Sequence, residues 1–509
     1  MKKFLFSILI FAGIASMATA EHLVMISTND CHSTIDPNDN NLGGLLRRRV
    51  VIDSIRAAEA KAGNPTLLID AGDQVQGSLY FTLYEGAVEY ASIDSLGYDI
   101  IILGNHEFDN TLPETAAFYR NVRAQKVCSN YDFDQTAMRG MFYPYIVKRF
   151  GDKRVAFIGI NLNPDGKISS RSYTGMLYND GKKVACELST YLKKSGIADY
   201  VVMISHIGYD ESNENSPTDL QIAAASTDID IIIGGDSHTF IDPSEPQRWQ
   251  IANAAGRKIA VTQTGAHGVH VNKIDLDLAT GKVDYESVLI DSRLDDRANA
   301  DYPAFKEWLR PYCSEVQALN GNIIGTCARF MINRDNSDAG LSNWAADALY
   351  EAGLKQFGKI DFAVMNTGGL RKPLPEGKIP EGRLVEIMPF KNSLTVVEMT
   401  GDVLTEMLTQ MASKGKAVPS KQVSGTYYKK SNTIDVRING KKIKPTQTYR
   451  VITVDYLANG GDYLYAFTKG KKVWEDKEPY RGYILDYIRD LDSRGIKVDG
   501  PAKMRVVTK

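Results

Sequence analysis

The sequence is poor in cysteine, has no excess of charge of either sign, and lacks long apolar runs beyond its first twenty residues. Five cysteines in 509 residues are too few for a disulfide-built scaffold, and at most two bridges can form. Cys313 and Cys327 stand closest in sequence and are the candidate pair, with buried apolar thiols as the alternative. Lysine plus arginine number 60 against 62 aspartate plus glutamate, a formal net charge of −2. No basic surplus is left to hold a nucleic-acid backbone, which argues against a polymeric nucleic-acid partner. Tandem repeats and low-complexity tracts are absent as well.

The first twenty residues have the grammar of an export signal. Lys2 and Lys3 precede an apolar core over 4–14, and Ala18-Thr19-Ala20 is a small-x-small cleavage site. This predicts a signal peptide cleaved after Ala20 and a periplasmic or secreted chain with no membrane anchor, most simply a monomer.

With 43% hydrophobic and 24% charged residues, the remainder is globular and long enough for about two to four domains. From residue 21 to 291 short apolar runs (22–28, 66–69, 98–103, 155–160, 200–204, 229–233) alternate with helical stretches, the pattern of an α/β layered domain. The stretch 43–62 reads as a helix, with Arg47-Arg48-Arg49 on its solvated face. A charge-rich stretch, 292–319, reads as a partly helical interdomain connection. A second α/β pattern fills 320–509, with strands near 362–365, 394–399 and 449–454.

The chemistry lies where the first domain's strands end. The runs lead into Asn29-Asp30-Cys31-His32, Asp70-Ala71-Gly72-Asp73, Gly104-Asn105-His106-Glu107-Phe108-Asp109, Ser205-His206 and Gly234-Gly235-Asp236-Ser237-His238. Loops at the carboxyl ends of strands converge over one edge of an α/β sheet. Five strands thus deliver Asp30, His32, Asp73, Asn105, His206, Asp236 and His238 to one rim. Carboxylate, amide and imidazole donors in this mixture suit two divalent ions of Zn, Mn or Mg type, with a carboxylate able to bridge them. Of seven histidines in the chain, four stand at these strand ends.

Asp30-x-His32, Gly72-Asp73-x-x-x-Gly77, Gly104-Asn105-His106-Glu107, His206 and Gly235-Asp236-x-His238 resemble the calcineurin-like metallophosphoesterases. The run Gly104 to Asn110 is similar to the 5′-nucleotidase and UDP-sugar hydrolase branch. The resemblance implies a four-layer α/β/β/α sandwich with a dinuclear site. Asp30, His32, Asp73 and His238 would hold one ion, and Asp73, Asn105, His206 and Asp236 the other, with Asp73 bridging. It also implies His106 as donor to the phosphoryl oxygen or leaving group, oriented by Asp109. One position departs from the family pattern, which has His where this chain has Asp236. An oxygen ligand there favours harder ions such as Mn²⁺ or Mg²⁺ over Zn²⁺.

The second half carries Asn366-Thr367-Gly368-Gly369-Leu370-Arg371, Pro389-Phe390 and Asp455-Tyr456 through Asp462. Arg371 suits a phosphate or ribose, and flat side chains suit a base. These segments resemble the 5′-nucleotidase C-terminal domain. The resemblance implies Phe390 and Tyr456 stacked on the base, Asp462 and Arg371 on ribose or phosphate, and Asn366 on the base edge or ribose. It also makes Arg334 a further substrate contact. The expected activity is hydrolysis of nucleoside 5′-monophosphates, with UDP-sugars as a further substrate. Left open are a 2′,3′-cyclic phosphodiesterase with 3′-nucleotidase activity and a nucleotide-binding protein whose catalysis Asp236 impairs.

Overall fold

The structure, a computed structural model, describes residues 21–210, 215–333 and 338–509. The export signal expected at 1–20 and the candidate contact Arg334 lie outside the described residues. Two six-stranded sheets build the first half. In one, the parallel strands His22–Thr28, Thr66–Asp70, Ile100–Ile101 and Gln125–Lys126 run side by side, with His270–Asp277 and Val283–Leu289 antiparallel at the edge. In the other, Lys153–Asn161, Tyr200–His206, Ile231–Ile233 and Lys258–Thr262 are parallel, flanked by antiparallel Ile146–Phe150 and Gln250–Ala252.

Strands covered on both faces need continuous apolar runs, and these have them: Ile231–Ile233 is buried throughout, and His22–Thr28 is buried except at His22. Side chains from both sheets merge into one hydrophobic core. Helix Leu45–Ala62 packs on the first sheet, and helices Gly181–Lys194 and Asp219–Ala225 on the second. The α/β/β/α layering follows.

The second half has its own core, around a five-stranded sheet in the order Ala417–Pro419, Phe362–Asn366, Thr448–Val454, Ser393–Thr400, Lys471–Pro479. Among the described residues no helix is long and apolar enough to cross a membrane.

The structure corrects several expectations. The run 98–103 forms a regular strand only over Ile100–Ile101; the Asp99 and Ile102 amides still donate to the Leu68 and Asp70 carbonyls, and the Leu103 carbonyl accepts from the Asn161 side chain. Arg47 and Arg48 are buried rather than solvated. Arg47 pairs with Asp295 at 2.6 Å, and Arg48 donates to Cys31 Sγ at 2.6 Å and to the Thr34 carbonyl at 3.1 Å. Arg49 lies over the rings of Tyr302 and Phe305. The stretch 292–319 is helical over Asp295–Ala300 and into helix Pro303–Gly321, in line with the partly helical reading, but Phe305, Leu309 and Val316 sit in the first core rather than in a free connection. All five cysteines are free. Cys313 packs against the first core and Cys327 belongs to the second, so the expected pair does not form.

Candidate functional site

The strand-end residues converge as their spacing requires. Asp73 Oδ2 lies 3.2 Å from His206 Nε2 and 3.6 Å from His32 Nε2. Asp30 Oδ1 is 3.4 Å from His238 Nε2 and 3.9 Å from His32 Nε2. The Nε2 atoms of His32 and His238 are 2.9 Å apart. Asn105 Oδ1 reaches within 3.2 Å of His206 Nε2, and Asp236 Oδ1 within 4.0 Å. Asp73 thus stands between a cluster with Asp30, His32 and His238 and another with Asn105, His206 and Asp236.

The backbone is bent to achieve this. Asp30, His32, Asp73, Asp236 and His238 all have φ between +45° and +82°, a region that costs a non-glycine residue about 1–3 kcal/mol and persists where the surroundings enforce it. The enforcing contacts are visible. Backbone amides of Asp30, His32 and Ser33 donate to the carbonyls of Gly72, Asp73 and Gln74 at 2.8–2.9 Å, tying the first ligand loop to the second. Gly104 packs so closely on Asp73 that a Cβ would fall 2.1 Å from Asp73 Oδ1.

A cation belongs in this cluster. Three carboxylates, Asp30, Asp73 and Asp236, face imidazoles in a rim that is buried except at Asp236 and His238. Although burial opposes the charge, Asp73, Asp30 and Asp236 hold His206 well above the usual imidazole range. Its Nδ1 donates to the Ala71 carbonyl at 2.7 Å, which directs Nε2 to the cluster as in metal-bound histidines. Ligand atoms of Asp30, His32 and His238, and of Asp30, Asp73 and His206, lie within 4.8 Å of one another. The donor set and the demand for positive charge fit divalent metal ions.

His106 closes the rim. Its backbone amide donates to Asp73 Oδ1 at 2.9 Å and its Nδ1 lies 2.8 Å from Asp109 Oδ2. Burial lowers its pKa, but Asp109 and Asp73 more than offset this and raise it.

The second domain meets the first at this point. The Phe390 ring stands 6.1 Å from His106, within 25° of parallel. The Tyr456 hydroxyl donates to the Gly166 carbonyl of the first domain at 3.2 Å and accepts from the Asp462 amide at 3.1 Å. Burial pushes the Asp462 carboxyl up to about 6, with Lys416 and Asn366 pulling against it. Arg371 is close enough to lower the pKa of His32 and His106. Asn366 is buried beside Asp462.

Some contributors escape sequence reasoning. Glu107 accepts the backbone amides of Gly104 at 2.5 Å, Asp73 at 3.0 Å and Gln74 at 2.9 Å, pinning two ligand turns together. Burial and Asp73 push its carboxyl up to about 7. Its place inside the Gly104–Asp109 motif was the available signal. Asp219, which accepts from Ser205 Oγ at 2.6 Å behind His206, has no sequence signal.

Comparison with known proteins agrees with this geometry. Residues 26–240 match the calcineurin-like phosphoesterase family and residues 320–469 the 5′-nucleotidase C-terminal domain family. The chain is 26% identical to a 5′-nucleotidase of Vibrio vulnificus over 89% of its own length and 88% of the relative's. It is 25% identical to protein UshA of Yersinia enterocolitica, with 86% of each chain covered. A solved 5′-nucleotidase precursor from Thermus thermophilus superposes with a TM-score of 0.82 at 25% identity, over 96% of this chain and 99% of that one.

Proposed function

The chain belongs to the 5′-nucleotidase family of two-domain metallophosphoesterases, and we infer from its site that it hydrolyses nucleoside 5′-monophosphates to nucleoside and phosphate with divalent metal ions. The observation that carries this reading is the position of Asp73 between two candidate ligand clusters, in the electrostatic reach of Arg371 and on a rim whose His106 stands against the Phe390 ring.

Asp30, His32, Asp73 and His238 would hold one ion and Asp73, Asn105, His206 and Asp236 the other. Divalent ions in such a site lower the pKa of a water and neutralise phosphoryl oxygens. Asp236 adds an oxygen donor, which favours Mn²⁺ or Mg²⁺ over Zn²⁺ at the second position. The side chains do the rest. Arg371 offers a planar fork of donors to the phosphoryl group. His106, its Nδ1 paired with Asp109 and its pKa raised by Asp109 and Asp73 against burial, would donate from Nε2 to the leaving oxygen. Phe390, whose ring lies beside His106, stacks with Tyr456 on the base, which places the 5′ oxygen near that donor. Asp462 accepts from a ribose hydroxyl and Asn366 from the base or sugar. UDP-sugars, which share the nucleoside handle, are further substrates. The Lys2–Ala20 signal supports export to the periplasm or beyond.

Phosphate release from 5′-AMP and 3′-AMP in the presence of Mn²⁺ tests this reading. Release from 5′-AMP alone is expected, and release from 3′-AMP alone would contradict it.

A further inference from the structure

Asp236 is where this chain departs from the family pattern, and its two oxygens face different groups. Oδ1 lies 4.0 Å from His206 Nε2, on the side of the second candidate ion. Oδ2 lies 4.0 Å from Lys167 Nζ. The carboxylate is 12% exposed and the lysine side chain 36%. Ion pairs that reach solvent add little to stability, so folding does not account for a lysine at this rim.

Lys167 is held there by the chain around it. It follows strand Lys153–Asn161 on a turn in which the Lys167 and Ile168 amides donate to the Pro164 carbonyl at 3.1 and 2.9 Å. At the base of the turn the Leu162 amide donates to the His206 carbonyl at 3.1 Å, and the Asn163 amide to Ser216 Oγ at 2.6 Å. At its tip Gly166 has φ 76° and lies so close to the second domain that a Cβ would fall 2.4 Å from the Tyr463 ring. Asp165 Oδ2 accepts from the Tyr465 hydroxyl at 3.3 Å. Lys167 is also near enough to Asp462 to pull that carboxyl down. The ammonium thus stands between Asp236 of the rim and Asp462 of the second domain.

Charge explains what a lysine does in this place. An imidazole ligand is neutral, and an aspartate in its position brings one negative charge. A bare third carboxylate would grip a divalent ion more tightly and leave less positive charge to act on an anionic ester. Asp236 and an ammonium together sum to zero, the charge of the imidazole they replace.

We propose that Lys167 is a positioning residue acting through Asp236: its ammonium offsets the carboxylate, so that the pair presents the second ion with the net charge of a histidine ligand. The proposal rests on the reading that Asp236 faces that ion.

Calorimetric titration of the metal-free full chain with Mn²⁺ tests it in the wild type, Lys167→Met, Asp236→Asn and the double variant. Asp236→Asn should weaken one of the two ions, which identifies the second position. Lys167→Met should tighten that same ion by about tenfold or more and leave the other within about twofold. Lys167→Arg, which keeps the charge, should retain the wild-type affinity. In the double variant the tightening should shrink to about twofold or less, because without the carboxylate nothing draws the ammonium to the rim. Turnover of 5′-AMP should fall in Lys167→Met while its second ion binds more tightly, whereas a merely structural loss would lower both. Unchanged or weaker binding of the second ion in Lys167→Met, with Asp236→Asn still weakening it, overturns the proposal and leaves Asp236 a ligand. Two ions unaffected by Asp236→Asn would remove that ligand reading, and the proposal with it.

Discussion

His106 of the first domain and Phe390 of the second face each other across the interdomain cleft, ring centroids 6.1 Å apart and planes within 25°. The group assigned to the leaving oxygen and the ring assigned to the base are thus neighbours only because two separately folded cores meet.

Removing the ring should weaken nucleotide binding without disarming the rim. Base–aromatic stacking is worth about 1–3 kcal/mol, so Phe390→Ala should raise the KM for 5′-AMP by about five- to 150-fold. Hydrolysis of 4-nitrophenyl phosphate, which carries no base, should change little; steady-state kinetics on both substrates checks this.

Arg48 holds the first ligand loop from inside the fold through Cys31 Sγ and the Thr34 carbonyl. Arg48→Met removes charge-assisted hydrogen bonds worth about 1.5–3 kcal/mol. Because Cys31 lies between Asp30 and His32, Mn²⁺ affinity should fall alongside urea stability. Loss of stability with unchanged Mn²⁺ affinity would separate Arg48 from the metal loop.

Burial raises the Asp462 carboxyl to about 6. Its ionised form, the better acceptor for a ribose hydroxyl, dominates above that pH and is lost below it. The KM for 5′-AMP should therefore rise as pH falls from 7 to 5. In Asp462→Asn the KM should be higher throughout and lose this component of the slope, leaving only the titration of the substrate's own phosphate.

The strands that carry the candidate ligands were legible as apolar runs: the runs at 22–28, 66–69 and 200–204 became strands His22–Thr28, Thr66–Asp70 and Tyr200–His206. Strand length was less so. The run 98–103, apolar except for Asp99, gives a regular strand only over Ile100–Ile101, with ladder hydrogen bonds from the Asp99 and Ile102 amides to the Leu68 and Asp70 carbonyls at its ends, and the Leu103 carbonyl accepts from Asn161, distant in sequence. Arg48 was read as solvated for the same kind of reason. Charge signals exposure until a buried partner exists, and its partners, Cys31 and Thr34, lie on another segment. Glu107 stood inside a recognisable motif, yet its hold on three backbone amides depends on the turns at Asp73 and Gly104 meeting in space. Gln76 gave no signal, since an amide two residues beyond a ligand turn is ordinary in sequence and becomes notable only when buried without a partner.

Asp236 puts an oxygen donor where the family pattern has imidazole. Asp236→His should shift the preference toward Zn²⁺, lowering the ratio of kcat/KM with Mn²⁺ to that with Zn²⁺ by about tenfold or more. Parallel assays of the two metal-loaded forms would show it.

The central claim is that Asp73 joins two ion sites and that both are needed for nucleotide hydrolysis. Metal-free chain titrated with Mn²⁺, with bound metal and 5′-AMP turnover recorded at each step, tests it most directly. The wild type should bind two ions per chain and reach full turnover only as the second binds. Asp73→Asn should lose at least one ion and about 10²–10³-fold in kcat. Full turnover with one ion bound, or undiminished turnover in Asp73→Asn, would contradict the account.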